Sequence, residues 1–127
     1  TQNDVNMEQA KKIVANGIKY YIEVANMPTT NDALRYLMDQ KNMVVAPSKA
    51  VNAGGVSVSG LEMSQNQEHL SWTAEEVDGK LRQIMKNIHD SSAAAAERYG
   101  LGYNLVAGAN IVGFQKVADA MMAQGWV

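Results

Sequence analysis

The sequence predicts an α/β fold: the carboxyl-terminal part of a doubly wound domain, with few parallel strands, mostly helical and ending in long helices. Two short apolar runs rich in β-branched residues, at residues 18–25 and 42–47, are typical of buried strands. The segment between them has the apolar spacing of a helix. A strand, a helix and a strand over roughly thirty residues predict a βαβ unit with parallel strands and a right-handed crossover.

The first two helices have identifiable ends in the sequence. Asn3 or Asp4 is suited to cap a helix that Gly17 would end. Thr29 or Thr30 is suited to cap the helix between the two strands, which is expected to continue to about residue 40.

The chain after the second strand is expected to be helical. A helix over residues 55–70 is followed by a capping box, Thr73 with Glu76, which opens a long helix that Gly100 ends. Residues 105–125 form a last helix, in which Gly108 and Gly113 predict close packing against another element. The inner faces expected for the last two helices are Val77, Leu81, Ile84, Met85, Ile88, Ser92, Ala95 and Tyr99, then Val106, Ala109, Val112, Val117, Ala118 and Met121.

The composition excludes several kinds of partner. The 127 residues carry a formal net charge of -2, which provides neither the basic surface of a nucleic-acid-binding protein nor a polybasic patch for a membrane. No apolar run approaches the ~20 residues of a membrane-spanning helix, and the first residues do not have the pattern of a signal peptide. The absence of cysteine excludes disulfides and thiolate metal sites, and it agrees with the cytoplasmic location that we expect.

Candidate binding residues follow the predicted strands. In open α/β sheets, ligands bind beyond the carboxyl ends of the strands. Residues 1–3 (TQN), 25–30 (ANMPTT) and 49–59 (KAVNAGGVSVS) lie there. The amide of Asn26 can donate and accept, which suits a carboxamide or a ribose hydroxyl, but Asn26 could equally cap a turn before Pro28. Thr29 and Thr30 are better explained as caps than as ligands.

The glycine pair in NAGGVSVS has two interpretations. Glycines allow close backbone approach, and N–H groups at the start of a helix favour an anion. Val56 and Ser59 share one helical face and would suit a ligand with an aliphatic stem and a polar end. The alternative is a tight strand-to-helix turn with a buried valine and a satisfied serine. The chain contains no dinucleotide-binding or P-loop glycine motif.

The remaining polar residues are weaker candidates. His69 and His89 have no second ligand at metal spacing, so we predict no metal site. Lys49 could reach an anion but is better explained as an exposed lysine. The sequence shows no nucleophile and base, and no pair of carboxylates, at catalytic spacing.

The predicted strand pair is too small to form a stable sheet by itself. Residues 1–4 (TQND) have the pattern of a strand end followed by a helix cap. We therefore expect the chain to be the second part of a larger domain. Alone, it would protect its strand edge by self-association or by an exchanged element.

Three ordered segments, EVANMPTT, APSKAVNAGGVSVSGLEMSQN and GANIVGFQKVADAM, closely resemble the carboxyl-terminal portion of hexameric glutamate dehydrogenases of the bacterial type. The resemblance covers residues 1 to about 125. It implies reversible oxidative deamination of L-glutamate to 2-oxoglutarate and ammonia, with NAD or NADP, in a homo-oligomer. It also implies that residues 1–104 are the second half of a Rossmann-like dinucleotide-binding domain and that residues 105–127 form a helix returning toward the substrate domain.

The same resemblance implies roles for individual residues. Asn52 would help to hold the α-carboxylate end of the substrate, Val56 would pack on its aliphatic stem, and Ser59 would bond to its γ-carboxylate. Asn26 would contact the ribose or carboxamide on the nicotinamide side. The residues expected near the cofactor are thus Thr1, Gln2 and Asn26.

The residues that carry the resemblance do not include those that perform the chemical step in the family. The family's catalytic lysine and aspartate, its substrate-binding lysines and its glycine-rich pyrophosphate turn belong to earlier segments and have no counterpart in these residues. Hydride transfer requires an oriented cofactor and an acid–base group beside the reacting carbon. We therefore expect this chain alone to be inactive although the parent enzyme is a dehydrogenase. The alternative hypothesis is a non-catalytic, self-associating helical scaffold.

Overall fold

Strands and helices alternate in the first part of the chain, and the second part is helical. The computed structural model describes residues 2–125. Within them the elements are α1 (Met7–Ala15), β1 (Tyr20–Ile22), α2 (Asn31–Met38), β2 (Val44–Ala46), α3 (Ser48–Val51), α4 (Ala53–Glu68), α5 (Ala74–Arg98) and α6 (Leu105–Gln124). No helix in this range is both long and apolar enough to cross a membrane.

The strands β1 and β2 pair in parallel, with Tyr20 opposite Val44 and Ile22 opposite Ala46. The backbone N–H of Glu23 donates to the carbonyl oxygen of Ala46 (3.0 Å), which extends the ladder just beyond β1. Because α2 connects two strands that run in the same direction, the predicted βαβ order is confirmed. Each strand is shorter than the apolar run that predicted it.

Helices α1 and α2 cover one face of the strand pair. The core on this side consists of Ala10, Ala33, Leu37 and Val45, with Tyr21 packed against it. Leu37 is completely buried. Burial of an aliphatic side chain of this size contributes about 1.5–3 kcal/mol relative to exposure.

The prediction that residues 18–25 form a largely buried strand is wrong for the second face of β1. Tyr20, Ile22 and Val24 are 68%, 58% and 65% exposed. Successive side chains of a strand point to opposite faces, so these three lie on the face opposite Tyr21. Within residues 2–125 the chain covers the Tyr21 face and leaves the other apolar face open.

The first helix begins later than predicted. Asn6, rather than Asn3 or Asp4, is the N-cap of α1, where it forms a capping box. The residues before Asn6 are held along the loop after β1, and Val5 forms a parallel bridge with Thr29. This long-range pairing takes the backbone groups that an earlier helical turn would have used, so the helix cannot start at Asn3.

Several predicted helix ends are confirmed. Thr30 is the N-cap of α2, although its side chain makes no capping hydrogen bond. Thr73 and Glu76 form the predicted capping box of α5, with the Glu76 N–H donating to the Thr73 hydroxyl (3.2 Å). Gly17 and Gly100 follow α1 and α5 with φ values of 69° and 72°. This left-handed conformation favours glycine at the end of a helix.

Helices α5 and α6 meet along a seam of small residues. Ser92, Ala95 and Ala96 of α5 are buried, as is Gly108 of α6. A Cβ atom on Gly108 would lie 1.9 Å from the backbone oxygen of Ser92, so glycine is required at this contact. A Cβ atom on Gly113 would meet no described atom within 4 Å. The predicted close packing is therefore confirmed at Gly108 and wrong at Gly113.

The predicted inner faces of the last two helices are partly wrong. Tyr99, Val117 and Met121 are 54%, 59% and 48% exposed. Tyr99 is the C-cap of α5 and lies past its packed face. Helical spacing from Gly108 places Val117 and Met121 on the side of α6 that faces away from the seam.

We expect Gly108→Ala to destabilise the chain by about 1–3 kcal/mol, because the added methyl group would overlap a backbone atom of α5. Gly113→Ala is the matched control in the same helix. It should stabilise the chain by roughly 0.5–1 kcal/mol, since the methyl group meets open space and alanine favours the helix. Urea unfolding of both variants measures the difference, and equal effects at the two positions would contradict the close contact.

Candidate functional site

The segment that follows β1 contacts both the start of the chain and the segment that follows β2. The backbone N–H of Asn3 donates to the carbonyl oxygen of Met27 (3.0 Å), and that of Val5 donates to the carbonyl oxygen of Pro28 (2.9 Å). Gln2 is exposed beside this contact. The predicted role of Thr1 falls outside the described residues. The convergence expected from the strand ends is thus present for the described part of the chain.

Asn26 and Asn52 are in direct contact. The side-chain nitrogen Nδ2 of Asn52 donates to Oδ1 of Asn26, at 2.7 Å. Asn26 lies in the loop between β1 and α2, and Asn52 lies between α3 and α4. The family resemblance implies different ligands for the two asparagines. The structure places them side by side, so a ligand that touches one is next to the other.

The hydrogen bond also sets which polar atoms each asparagine presents. Oδ1 of Asn26 is occupied as an acceptor, so its NH₂ group remains for a ligand carbonyl or hydroxyl oxygen. Asn52 retains its own Oδ1 and one N–H. Asn26 is exposed and Asn52 half-buried, so both can be reached from solvent.

The glycine pair lies inside a helix. Gly54 and Gly55 belong to the first turn of α4, and neither has a positive φ. A Cβ atom on Gly54 would be 3.5 Å from side-chain atoms of Leu81 and Met85, an ordinary contact, and one on Gly55 would meet no described atom within 4 Å. The interpretation of the glycine pair as a strand-to-helix turn is therefore wrong, because the pair lies inside α4 and its backbone does not require glycine. The satisfied serine of that interpretation is present, since the Ser59 hydroxyl has a hydrogen-bond partner.

The next turns of α4 present Val56 and Ser59 outward. Val56 is 73% exposed, which is high for a valine and opposite to the buried valine of the turn interpretation. The hydroxyl of Ser59 donates to the carbonyl oxygen of Gly55 at 3.3 Å, near the long limit for a hydrogen bond, so little is lost when it turns to another acceptor. Because Val56 and Ser59 are three residues apart in a helix, a methyl surface and a hydroxyl lie side by side.

Glu23 was not singled out from the sequence as a functional residue. It is only 5% exposed, which is unusual for a glutamate. Its Oε2 accepts a hydrogen bond from the backbone N–H of Ser48 (3.3 Å), the first residue of α3. The one signal in the sequence is an acidic residue near the end of a β-branched and aromatic strand run.

The weaker sequence candidates have structural partners. Lys49 donates through Nζ to Oδ1 of Asn110 and so joins α3 to α6. His69 is the left-handed C-cap of α4, with a φ of 55°. His89 contacts the hydroxyl of Tyr103, and its Nδ1 lies 3.0 Å from Oδ1 of Asp90. No cluster within residues 2–125 has the composition of a metal site.

The carboxyl group of Asp90, beside His89, has a shifted pKa. The hydrogen bond from Lys86, followed by the hydrogen bond with His89, lowers the pKa of Asp90 below its ordinary value. Asp90 is half exposed, so solvent screens the pair and its contribution to stability is small. This cluster fastens the loop before α6 to α5.

Taken together, the strand-end residues can bind a ligand. The asparagine pair offers donors and an acceptor, the outward face of α4 offers a methyl surface and a hydroxyl, and helical N–H groups lie at the start of α4. These groups lie on an open surface of the described residues.

Comparison with known families gives one match that spans almost the whole chain. The sequence profile of the family described as Glutamate/Leucine/Phenylalanine/Valine dehydrogenase matches residues 1–125. The chain belongs to this dehydrogenase family.

Individual family members are similar along the same length. The chain is 85% identical over 125 residues to the NAD-specific glutamate dehydrogenase of Clostridium symbiosum. The matched region covers 98% of this chain and 28% of that protein. The chain is 52% identical over 127 residues to the NADP-specific glutamate dehydrogenase of Escherichia coli, again covering 98% of this chain and 28% of the relative. The chain therefore spans little more than a quarter of the length of these relatives.

Solved structures of dehydrogenases share the fold. A glutamate dehydrogenase with 85% identity superposes with a TM-score of 0.95, covering 98% of this chain and 28% of that one. The glutamate dehydrogenase of Plasmodium falciparum, at 49% identity, superposes with a TM-score of 0.94 over 100% of this chain and 27% of that one. The two parallel strands and the helices are thus part of a dehydrogenase α/β architecture.

Gly55→Ala tests whether the glycine pair serves the backbone or the surface outside α4. We expect the substitution to raise the free energy of unfolding of the chain by roughly 0.5–1 kcal/mol, since alanine favours a helix and no described atom would clash with it. Thermal unfolding measures this. A loss of stability would mean that the backbone itself needs glycine at this position.

Proposed function

We propose that this chain supplies half of the cofactor crevice and one wall of the substrate pocket of an enzyme that oxidatively deaminates L-glutamate to 2-oxoglutarate and ammonia, with NAD or NADP. The observation that carries the proposal is the contact between Asn26 and Asn52, at 2.7 Å, in a chain of this dehydrogenase family. It joins the residue expected to meet the cofactor to the residue expected to meet the substrate. Transfer between two ligands requires that their sites adjoin.

On the cofactor side, the exposed amide of Asn26 fits a nicotinamide nucleotide. Its NH₂ group can donate to the carboxamide oxygen or a ribose hydroxyl while Asn52 occupies its Oδ1. Thr1 and Gln2 would lie near the same ligand, and Gln2 is adjacent in the chain to the contact between Asn3 and Met27. When bound, NAD or NADP accepts the hydride; this chain contributes binding and orientation.

On the substrate side, the outward face of α4 offers an apolar surface and a hydroxyl to a glutamate side chain. Val56 would pack against the methylene groups, and Ser59 would donate to the γ-carboxylate once it turns from the carbonyl of Gly55. Asn52 would donate its remaining N–H to the α-carboxylate. A smooth helix surface at Gly55 and at Gly60, where a Cβ atom would meet no described atom, leaves room for this ligand.

The proposal extends to the complete enzyme. Residues 1–104 would be the second half of a Rossmann-like domain, and residues 105–127 a helix that returns toward the substrate domain. The exposed apolar face of β1 would be covered by the other half of the domain, as parallel sheets require. The complete enzyme would be a bacterial-type homohexamer in the cytoplasm. One structural relative, from Thermus thermophilus, is described as a hetero-hexameric glutamate dehydrogenase.

The chain alone should not turn over L-glutamate, because the groups expected to perform acid–base catalysis lie outside it. The measurement is the absorbance of reduced nicotinamide with purified chain, saturating L-glutamate and either NAD or NADP. Thermal shift with the same ligands separates the two hypotheses for this chain. Binding stabilises a protein by about 2.7 kcal/mol at one hundred times Kd. Turnover by the chain would contradict the proposed division of the active site, and a flat thermal response at millimolar ligand would favour the scaffold.

In the complete enzyme, Ser59→Ala should raise KM for L-glutamate by on the order of ten- to a hundredfold, the loss of a hydrogen bond to a charged group. The effect should vanish for norvaline, which has the aliphatic stem but no γ-carboxylate. Ser64→Ala is the matched control, since Ser64 makes the same type of bond to the carbonyl of Gly60 (3.0 Å) in the same helix. Equal changes for both substrates would contradict the assigned role of Ser59.

A further inference from the structure

Glu23 occupies a position between the two loops of the proposed site. Its backbone N–H donates to Ala46 at the end of β2 (3.0 Å). Its buried side chain reaches past Pro47 and accepts the N–H of Ser48 (3.3 Å). Glu23 therefore attaches the end of β1 both to β2 and to the first residue of the helix that follows β2.

From Ser48 the hydrogen bonds continue to the asparagine pair. The carbonyl oxygen of Ser48 accepts the backbone N–H of Asn52 at 2.8 Å. The side chain of Asn52 then donates to Asn26 at 2.7 Å, and Asn26 follows Glu23 in the chain after only Val24 and Ala25. The contacts form a closed ring with the buried carboxylate at one end and the two solvent-accessible amides at the other.

A carboxylate that is 95% removed from solvent is costly unless its oxygens accept hydrogen bonds, and here it is retained at 5% exposure. At 3.3 Å the Glu23–Ser48 bond is as long as that of Ser59, but a carboxylate acceptor makes such a bond stronger than one between neutral groups. Because Glu23 is buried while Asn26 is exposed and Asn52 only half-buried, Glu23 can act on a ligand only through the loops that carry the two amides.

We infer that Glu23 is a positioning residue: it holds Ser48, and through it Asn52, at a set distance from Asn26, so that the cofactor-side and substrate-side amides are aligned together. This inference rests on the proposed function. Loss of the Glu23–Ser48 hydrogen bond should therefore weaken the binding of the cofactor and of the substrate together.

The test removes the Glu23–Ser48 hydrogen bond of the complete enzyme in two ways, through the acceptor and through the donor. Glu23→Ala removes the acceptor. Ser48→Pro removes the donor, and it suits the local backbone, because Ser48 is the first helical residue of α3 and Pro47 already has φ -75° and ψ 146°. Both variants should raise KM for L-glutamate and for the cofactor by about tenfold, with a smaller change in kcat. The double variant should be no worse than either single one.

Two conservative variants control for side-chain loss. Glu23→Gln keeps an acceptor oxygen of the same reach and should restore KM for both ligands to within about twofold of the parent value. Ser48→Ala keeps the backbone N–H and should behave in the same way. Unchanged KM in a folded Ser48→Pro enzyme would overturn the inference. So would a Glu23→Gln enzyme as impaired as Glu23→Ala, since that result would assign the effect to the charge and not to the bond.

A crystal structure of the Ser48→Pro enzyme separates this inference from the proposed function. We expect Nδ2 of Asn52 to lie beyond 3.5 Å from Oδ1 of Asn26, and an unchanged contact would overturn the positioning role. If the parent enzyme does not oxidise L-glutamate with either cofactor, the proposed function fails, while the crystal structure still decides whether Glu23 positions the two amides.

Discussion

The parallel pairing of β1 with β2 is the constraint on which the rest of the structure depends. It places the carboxyl ends of both strands at one edge, so the loops carrying Asn26 and Asn52 leave the sheet together. The pairing requires the crossover helix α2, whose buried Leu37 anchors it to the strands. A long crossover closed by a short ladder is entropically expensive. Burial under α1 and α2 on one face is therefore what maintains the geometry of the candidate site.

The βαβ order, the capping box of α5 and the glycine ends of α1 and α5 could be predicted from the sequence, because each depends on local chemistry or on the apolar period. The start of α1 could not. Asn3 and Asp4 are as suitable as Asn6 for a local cap, and the choice is made by the bridge between Val5 and Thr29, which are distant in sequence. Residue preferences identify the possible N-cap positions, and the tertiary pairing of the backbone determines which of them is used.

The candidate site, like the fold, could be predicted only in part from the sequence. The general rule for α/β sheets indicated the segments that carry Asn26, Asn52, Val56 and Ser59, and the family resemblance singled out Asn52 within its segment. The contact between the two asparagines depends on the register of a parallel pair, which the sequence pattern does not specify to within one residue. Glu23 was missed because an acidic residue in an apolar run indicates no particular burial, and its partner is a backbone N–H, which carries no sequence signal.

The glycines inside α4 and α6 differ in whether a neighbouring atom of the chain accounts for them. Glycine inside a helix costs about 1 kcal/mol relative to alanine, so each one needs a reason in its surroundings. At Gly108 the reason lies within the chain, because a Cβ atom would collide with Ser92. At Gly55 and Gly60 no described atom and no positive φ supplies one. Gly113 meets equally open space, so the lack of neighbours alone does not define a site. Beside Gly55 and Gly60, however, Val56 is left 73% exposed, which supports the proposal that a ligand approaches the outward face of α4.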